Sequence, residues 1–141
     1  MIVLDASALI DVVLDNPRSR WVLDQMAGGG VHAPAHQRVE TLSALARLLR
    51  ASVLKPPVAR EAVERALALP QRLVVPTATH IRRAYALRDR IRVTDGLYVA
   101  LADELGCPLV TTDRRLAAAD APCEVRTPPD GPVPPPRTEG S

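Results

Sequence analysis

At 141 residues the chain has the length of one ordinary domain, enough to bury a core without disulfides or structural metals. Its 47% hydrophobic and 24% charged residues place it among globular chains and exclude the low-hydrophobicity compositions that stay unfolded. The apolar runs are only a few residues long and Met1-Ile2-Val3-Leu4-Asp5 carries no basic stretch, so the expectation is a cytoplasmic protein with neither a membrane span nor a signal peptide.

In chain order, Ile2–Leu4 reads as a short strand, Ala6–Leu14 as a helix, and Arg18–Met26 as a second helix that stops at Gly28-Gly29-Gly30. Val31–Ala33 is a further short strand. A long helix is expected from Pro34 to Ala51, with Pro34 in the first turn, where a missing N–H costs little. Its apolar stripe is Val39, Leu42, Leu45, Ala46 and Leu49, which leaves Glu40 on the solvated side with Ala44 and Arg47. Pro57 opens another helix, ending at Leu69 before Pro70. Leu73–Val75 is a strand, Thr77–Arg90 a helix, Thr94–Leu105 a helix closed by Gly106, and Leu109–Thr111 a strand. A short helix over Arg114–Ala119 and an edge strand over Cys123–Arg126 follow.

Short apolar runs alternating with longer amphipathic segments predict an α/β domain over residues 1–126, with a central, mainly parallel sheet flanked by helices. Residues 127–141 hold six of the fourteen prolines and almost no apolar side chains, and are expected to form a disordered or polyproline-like tail.

Few of the remaining residues suggest a ligand. Cys107 and Cys123 have no partner at zinc spacing and read as ordinary buried thiols. His32, His36 and His80 show no ligand spacing and read as surface or satisfied residues, and Trp21 as core or interface. With Trp21, Tyr85 and Tyr98 as the aromatic complement, a base-stacking platform is disfavoured. Lys55 is the single lysine among 18 basic residues. Arginine suits bidentate phosphate contacts, although a GC-rich coding bias gives the same count.

Three aspartates sit at helix starts: Asp5 after the first strand, Asp95 behind Thr94, and Asp113 after Leu109-Val110-Thr111-Thr112. Each alone is explained by capping or by the helix dipole. Asp5 and Asp113 together lie at carboxyl ends of strands, which in an open parallel sheet border the ligand crevice. Acids sharing a crevice repel, and a divalent cation relieves that repulsion. Oxygen donors without histidine or cysteine point to magnesium or manganese over zinc. By periodicity alone Glu40 is a solvated residue, loosely paired with Arg47.

Four stretches occur in order: Ile2-Val3-Leu4-Asp5-Ala6-Ser7-Ala8-Leu9-Ile10-Asp11; Val39-Glu40-Thr41-Leu42-Ser43-Ala44-Leu45; Thr94-Asp95-Gly96-Leu97-Tyr98-Val99-Ala100-Leu101-Ala102; and Pro108-Leu109-Val110-Thr111-Thr112-Asp113-Arg114-Arg115-Leu116. Over roughly residues 1–126 this pattern resembles the four acidic motifs of PIN-domain toxins of the VapC type. The resemblance implies a PIN fold, magnesium- or manganese-dependent endoribonuclease activity, RNA as substrate, a cognate antitoxin as partner and a homodimer as the free form. It also implies that Asp5, Glu40, Asp95 and Asp113 are the catalytic acids, and that Ser7 and Thr112 take the hydroxyl positions beside the first and last. Gly96 departs from the alanine of many relatives, and glycine this early in a helix loosens its first turn.

Of these acids, Asp5 and Asp95 are assigned as principal metal ligands, with Glu40 and Asp113 orienting or deprotonating the attacking water. Arg82, Arg83, Arg88, Arg90 and Arg92 precede Asp95, and Arg114 and Arg115 follow Asp113, in the manner of a rim that would hold a polyanion. A phosphoacceptor receiver domain also places aspartates at strand ends, but it needs a lysine near them late in the chain, and Lys55 lies elsewhere. The other alternative is a PIN-like RNA-binding or scaffold module without nuclease activity.

Overall fold

The structure, a computed structural model, is described for residues 1–130. Five strands, β1 (Ile2–Leu4), β2 (Val31–Pro34), β3 (Arg72–Val74), β4 (Leu109–Val110) and β5 (Val125–Arg126), form one sheet in the order β3-β2-β1-β4-β5. Every pairing is parallel. Parallel neighbours need crossovers, and these are supplied by α1 (Ala6–Val13), α2 (Ser19–Met26), α3 (Gln37–Arg50), α4 (Pro56–Ala68), α5 (Ala78–Ala86), α6 (Val93–Leu105) and α7 (Arg114–Ala117).

Strand residues alternate between two cores. Ile2 and Leu4 of β1 pack with Leu9, Val22, Leu45 and Ala62 under α1 to α4, and Trp21 packs against this cluster. Val3 points the other way, to Tyr98, Val99 and Leu101 of α6 and to Leu109. Because β2 and β3 lie on one side of β1 and β4 and β5 on the other, the chain reverses its direction of travel at β1. That switch point, at the carboxyl ends of β1 and β4, leaves a crevice that no crossover covers.

Most expected elements form, with shifted ends. Pro34 does not open the long helix: it closes β2, opposite Val74, and α3 starts at Gln37. The expected Thr77–Arg90 helix is shorter, because Thr77 and His80 form a capping box that starts α5 at Ala78, and the helix ends at Ala86. His80 also meets Glu104 at 2.8 Å and is a buried, satisfied residue as expected. The two cysteines are free thiols, Cys107 buried and Cys123 half-buried.

The apolar stripe expected on α3 is corrected. Its buried face is Gln37, Thr41 and Leu45, whereas Val39 is 69% and Leu42 56% exposed. Hydrogen bonding permits this. The fully buried Gln37 amide donates to the Leu4 carbonyl at 2.9 Å and exchanges hydrogen bonds with Gln71, and the Thr41 hydroxyl donates to the Gln37 carbonyl at 2.8 Å. Satisfied amides and hydroxyls can be buried at little net cost, so period alone chose the wrong face.

Gly96 also acquires a different explanation. A Cβ there would lie 3.0 Å from the Ala84 Cα and 3.1 Å from its Cβ, so the glycine permits α5 to press against α6. Of the expected tail, residues 131–141 lie outside the described residues. Within its first four residues Pro128 is buried, and its carbonyl accepts from Arg114 at 3.4 Å. Among the described residues no helix is long and apolar enough to cross a membrane.

The rotated face of α3 yields a direct test. Leu45→Ala should cost about 2–5 kcal/mol, because it opens a cavity beside β1, whereas Leu42→Ala should stay within about 1 kcal/mol of wild type. Equilibrium urea unfolding measures both; equal losses would restore the stripe drawn from periodicity.

Candidate active site

The carboxyl ends of β1 and β4 deliver Asp5 and Thr111 to the crevice, α3 delivers Glu40, the first turn of α6 delivers Asp95, and the start of α7 delivers Asp113. Asp5 is 5% exposed and precedes α1, yet its side chain makes no capping bond. Its Oδ2 instead accepts from the Ser7 hydroxyl at 2.6 Å and from Thr111 at 2.7 Å. Oδ1 accepts no hydrogen bond among the described residues. The hydroxyl that reaches Asp5 from the end of β4 is that of Thr111, which sequence reasoning did not assign; Thr112 is the hydroxyl expected beside Asp113. Thr112 contributes a backbone N–H, which donates to Ser7 Oγ at 3.1 Å.

Burial is the main reason that the Asp5 carboxyl is pushed up from 3.8 to about 6; the two hydroxyls oppose the shift, and the charges of Asp95 and Glu40 add to it. Asp95 is raised as well, again by burial first, with Arg92 opposing and Glu40 and Asp113 adding repulsion. The four acids therefore share one electrostatic neighbourhood. Asp113 alone caps, with Oδ1 accepting from the Arg115 N–H at 2.9 Å, so for this residue the structural explanation and a place in the crevice coexist.

Glu40 is half-buried and is not paired with Arg47. The Tyr98 hydroxyl donates to its Oε1 at 2.7 Å, and His36 Nε2 lies 3.2 Å from the same oxygen. His36 Nε2 is also 3.0 Å from the Thr94 carbonyl, and since both neighbours are acceptors this nitrogen carries the proton. Burial alone would raise Glu40, but the bonds from His36 and Tyr98 outweigh it and hold the carboxyl below its ordinary value. His36 rises for the reciprocal reason: burial opposes its charge, and Glu40 more than offsets that. Sequence reasoning did not assign His36 or Tyr98 to the site. The available signals were the four-residue spacing of His36 and Glu40 on one helix, and Tyr98 three residues beyond Asp95.

Arg92, just ahead of α6, spans two of the acids: Nε is 3.1 Å from Asp95 Oδ2 and Nη2 is 3.7 Å from Asp113 Oδ2. Arg90 and Arg115 join it around a cleft of about 200 Å³ that includes Asp95 and Asp113. The other rim candidates are engaged elsewhere or lie away from this cleft. Arg83 pairs with Asp103, Arg88 stacks on Tyr85 with its guanidinium carbon 4.2 Å from the ring centre, and Arg114 pairs with Asp130.

Comparison with known proteins places this geometry in context. The PIN domain model matches residues 2–122. Ribonuclease VapC12 of Mycobacterium tuberculosis is 42% identical over 117 residues, which cover 83% of this chain and 90% of that protein. The crystal structure of Mycobacterium tuberculosis VapC20, described as a sarcin-ricin loop cleaving toxin, superposes with a TM-score of 0.64 at 20% identity, covering 86% of this chain and 96% of that one. A toxin–antitoxin complex from Klebsiella pneumoniae gives 0.63 at 17% identity, covering 90% and 97%.

The raised Asp5 carboxyl predicts an unusual stability profile. Folded Asp5 holds its proton more tightly than the unfolded chain does, so its contribution is full below about pH 4 and is lost as pH rises through about 6. In chelator, Asp5→Asn should be more stable than wild type at pH 7 by at most about 3 kcal/mol, and the gap should close near pH 4. Urea titrations at the two pH values check this; an asparagine variant weaker than wild type at pH 7 would contradict it.

Proposed function

Because the chain belongs to the PIN-domain family, in its VapC branch, we propose that it is an endoribonuclease toxin of a type II toxin–antitoxin system, a cytoplasmic hydrolase that cleaves RNA phosphodiesters with magnesium or manganese. One observation carries the reading: four acids border the crevice at the sheet's switch point within electrostatic range of one another, and the innermost, Asp5, is buried with its carboxyl pushed up to about 6. Acids so placed gain from a cation, and a donor set made of carboxylate oxygens suits a hard one.

Asp5, through its free Oδ1, and Asp95 would hold the ion, with Glu40 and Asp113 completing the set. A bound magnesium or manganese ion supplies charge at the scissile phosphate and lowers the pKa of a water. The chain's own residues do the positioning. Ser7 and Thr111 fix the Asp5 rotamer from one side. Tyr98 and His36 hold Glu40 ionised, so that it can orient the attacking water and accept its proton. Arg90 and Arg115 add positive charge at the cleft, where the strand's phosphates would pass. The choice of RNA rests on the ribonuclease relatives, since nothing in this chemistry demands a 2′-hydroxyl.

A toxin needs restraint, and the partner we propose is a cognate antitoxin. Two surfaces suit one. The acid cluster would attract a basic side chain, most naturally an arginine. Between α3 and α4, Val39, Leu42, Val63 and Leu67 line an apolar groove of about 270 Å³, with Arg38 beside them. An amphipathic arm can fill such a groove. The free protein is read as a homodimer on family analogy.

Incubation with a panel of structured RNAs in magnesium, manganese or EDTA tests the chemistry. Cleavage should require the ion, and Asp95→Asn should lower it roughly a hundredfold or more while leaving the fold intact. RNA binding without cleavage in any metal would favour the scaffold alternative. For the partner, Leu42→Glu should weaken complex formation with the product of the adjacent upstream reading frame while sparing nuclease activity. Unchanged binding would move the antitoxin contact away from this groove.

A further inference from the structure

Arg92 is 65% exposed, while the Asp95 and Asp113 carboxylates it spans are 12% and 20% exposed. The guanidinium thus lies across the mouth of the crevice, held by charge and by one hydrogen bond, from Nε to Asp95 Oδ2. Its field also reaches Glu40, whose carboxyl it lowers, so a single side chain offsets repulsion among three acids. Among the described residues no three acidic, histidine or cysteine side chains converge closely enough to cage an ion. Arg92 instead bridges two of the acids, Asp95 and Asp113.

We propose that Arg92 is a tethered counter-cation: it positions Asp95 and Asp113 in the metal-free protein and competes with the divalent ion for the same carboxylates. The inference rests on the metal reading above. Three features support it. The guanidinium and a dication would both seek Asp95 Oδ2, and at such separations their mutual repulsion is large even at an effective permittivity near 20. The long, exposed side chain can swing into solvent without opening a cavity, so displacement breaks an ion pair and disturbs no packing. Arginine's planar fork can reach two carboxylates from one stem, which a lysine cannot reproduce. Arg92 is a positioning residue in this scheme, with no contact to reacting atoms assigned to it.

The test measures manganese binding to the purified full chain by calorimetry, and melting in EDTA, for wild type, Arg92→Gln and Arg92→Lys. Arg92→Gln should bind manganese about tenfold more tightly, melt at a lower temperature in EDTA, and show a larger stabilisation by the metal. Arg92→Lys, which keeps the charge without the fork, should fall between the two. Manganese affinity in Arg92→Gln equal to or below wild type would overturn the proposal while leaving the metal reading in place. A wild type that binds no manganese at millimolar concentration would remove both. Should the glutamine variant fail to fold, Arg92→Lys carries the same decision through the direction of its change in affinity.

Discussion

A carboxylate buried at the end of the central strand has to be protonated or matched by positive charge, and the surroundings of Asp5 answer that demand only in part. Ser7 and Thr111 supply two hydroxyl donors to one oxygen. They do not overcome the burial, and the neighbouring acids deepen the deficit, which is why the carboxyl rises to about 6. A fold selected for stability alone would place an asparagine or an apolar residue here. The buried carboxylate costs the domain stability at neutral pH, which agrees with the metal-holding role proposed for it.

The rest of the crevice shows the same economy at each remove from Asp5. Gln37, fully buried, satisfies the Leu4 carbonyl and so fixes the first turn of α3 against the end of β1. Three residues further along the helix, Glu40 is thereby aimed at Tyr98, whose ring lies in the opposite core layer. His36, one turn before Glu40, ties α3 to the Thr94 carbonyl at the start of α6 and stands 4.9 Å from the Tyr98 ring. Two helices from different crossovers are thus locked by polar contacts made at the site itself. Gly96 lets α5 close on α6 from behind, completing the support of Asp95.

Arg92 balances this arrangement from the solvent side. It pairs with Asp95 and Asp113 while remaining mostly exposed, and Arg115 near Asp113 and His36 beside Glu40 add to the positive charge around the acids. The crevice therefore combines an inner wall built from β1, β4 and buried hydrogen bonds with an exposed outer charge. That division is what the proposed exchange of a cation and a polyanion would require of the site.

How much of this was legible in the sequence follows from the range of each interaction. Strand and helix periods, proline and glycine positions and the order of elements act over a few residues, so the α/β class, the parallel sheet and the strand-end placement of Asp5 and Asp113 could be read directly. The four acidic stretches, matched in order, pointed to the family, and Glu40 entered through that resemblance, against its periodicity. Tertiary structure alone decided the face of α3, because burying Gln37 and Thr41 depends on the Leu4 carbonyl and on Gln71, 34 positions away. It decided that Thr111 rather than Thr112 meets Asp5, since the twist and register of β1 against β4 select which hydroxyl points inward. It also decided which arginine of a crowded segment lies across the acids. Neighbouring arginines look alike along the chain, and only the packing of α6 against the sheet brings Arg92 to Asp95 and Asp113 together.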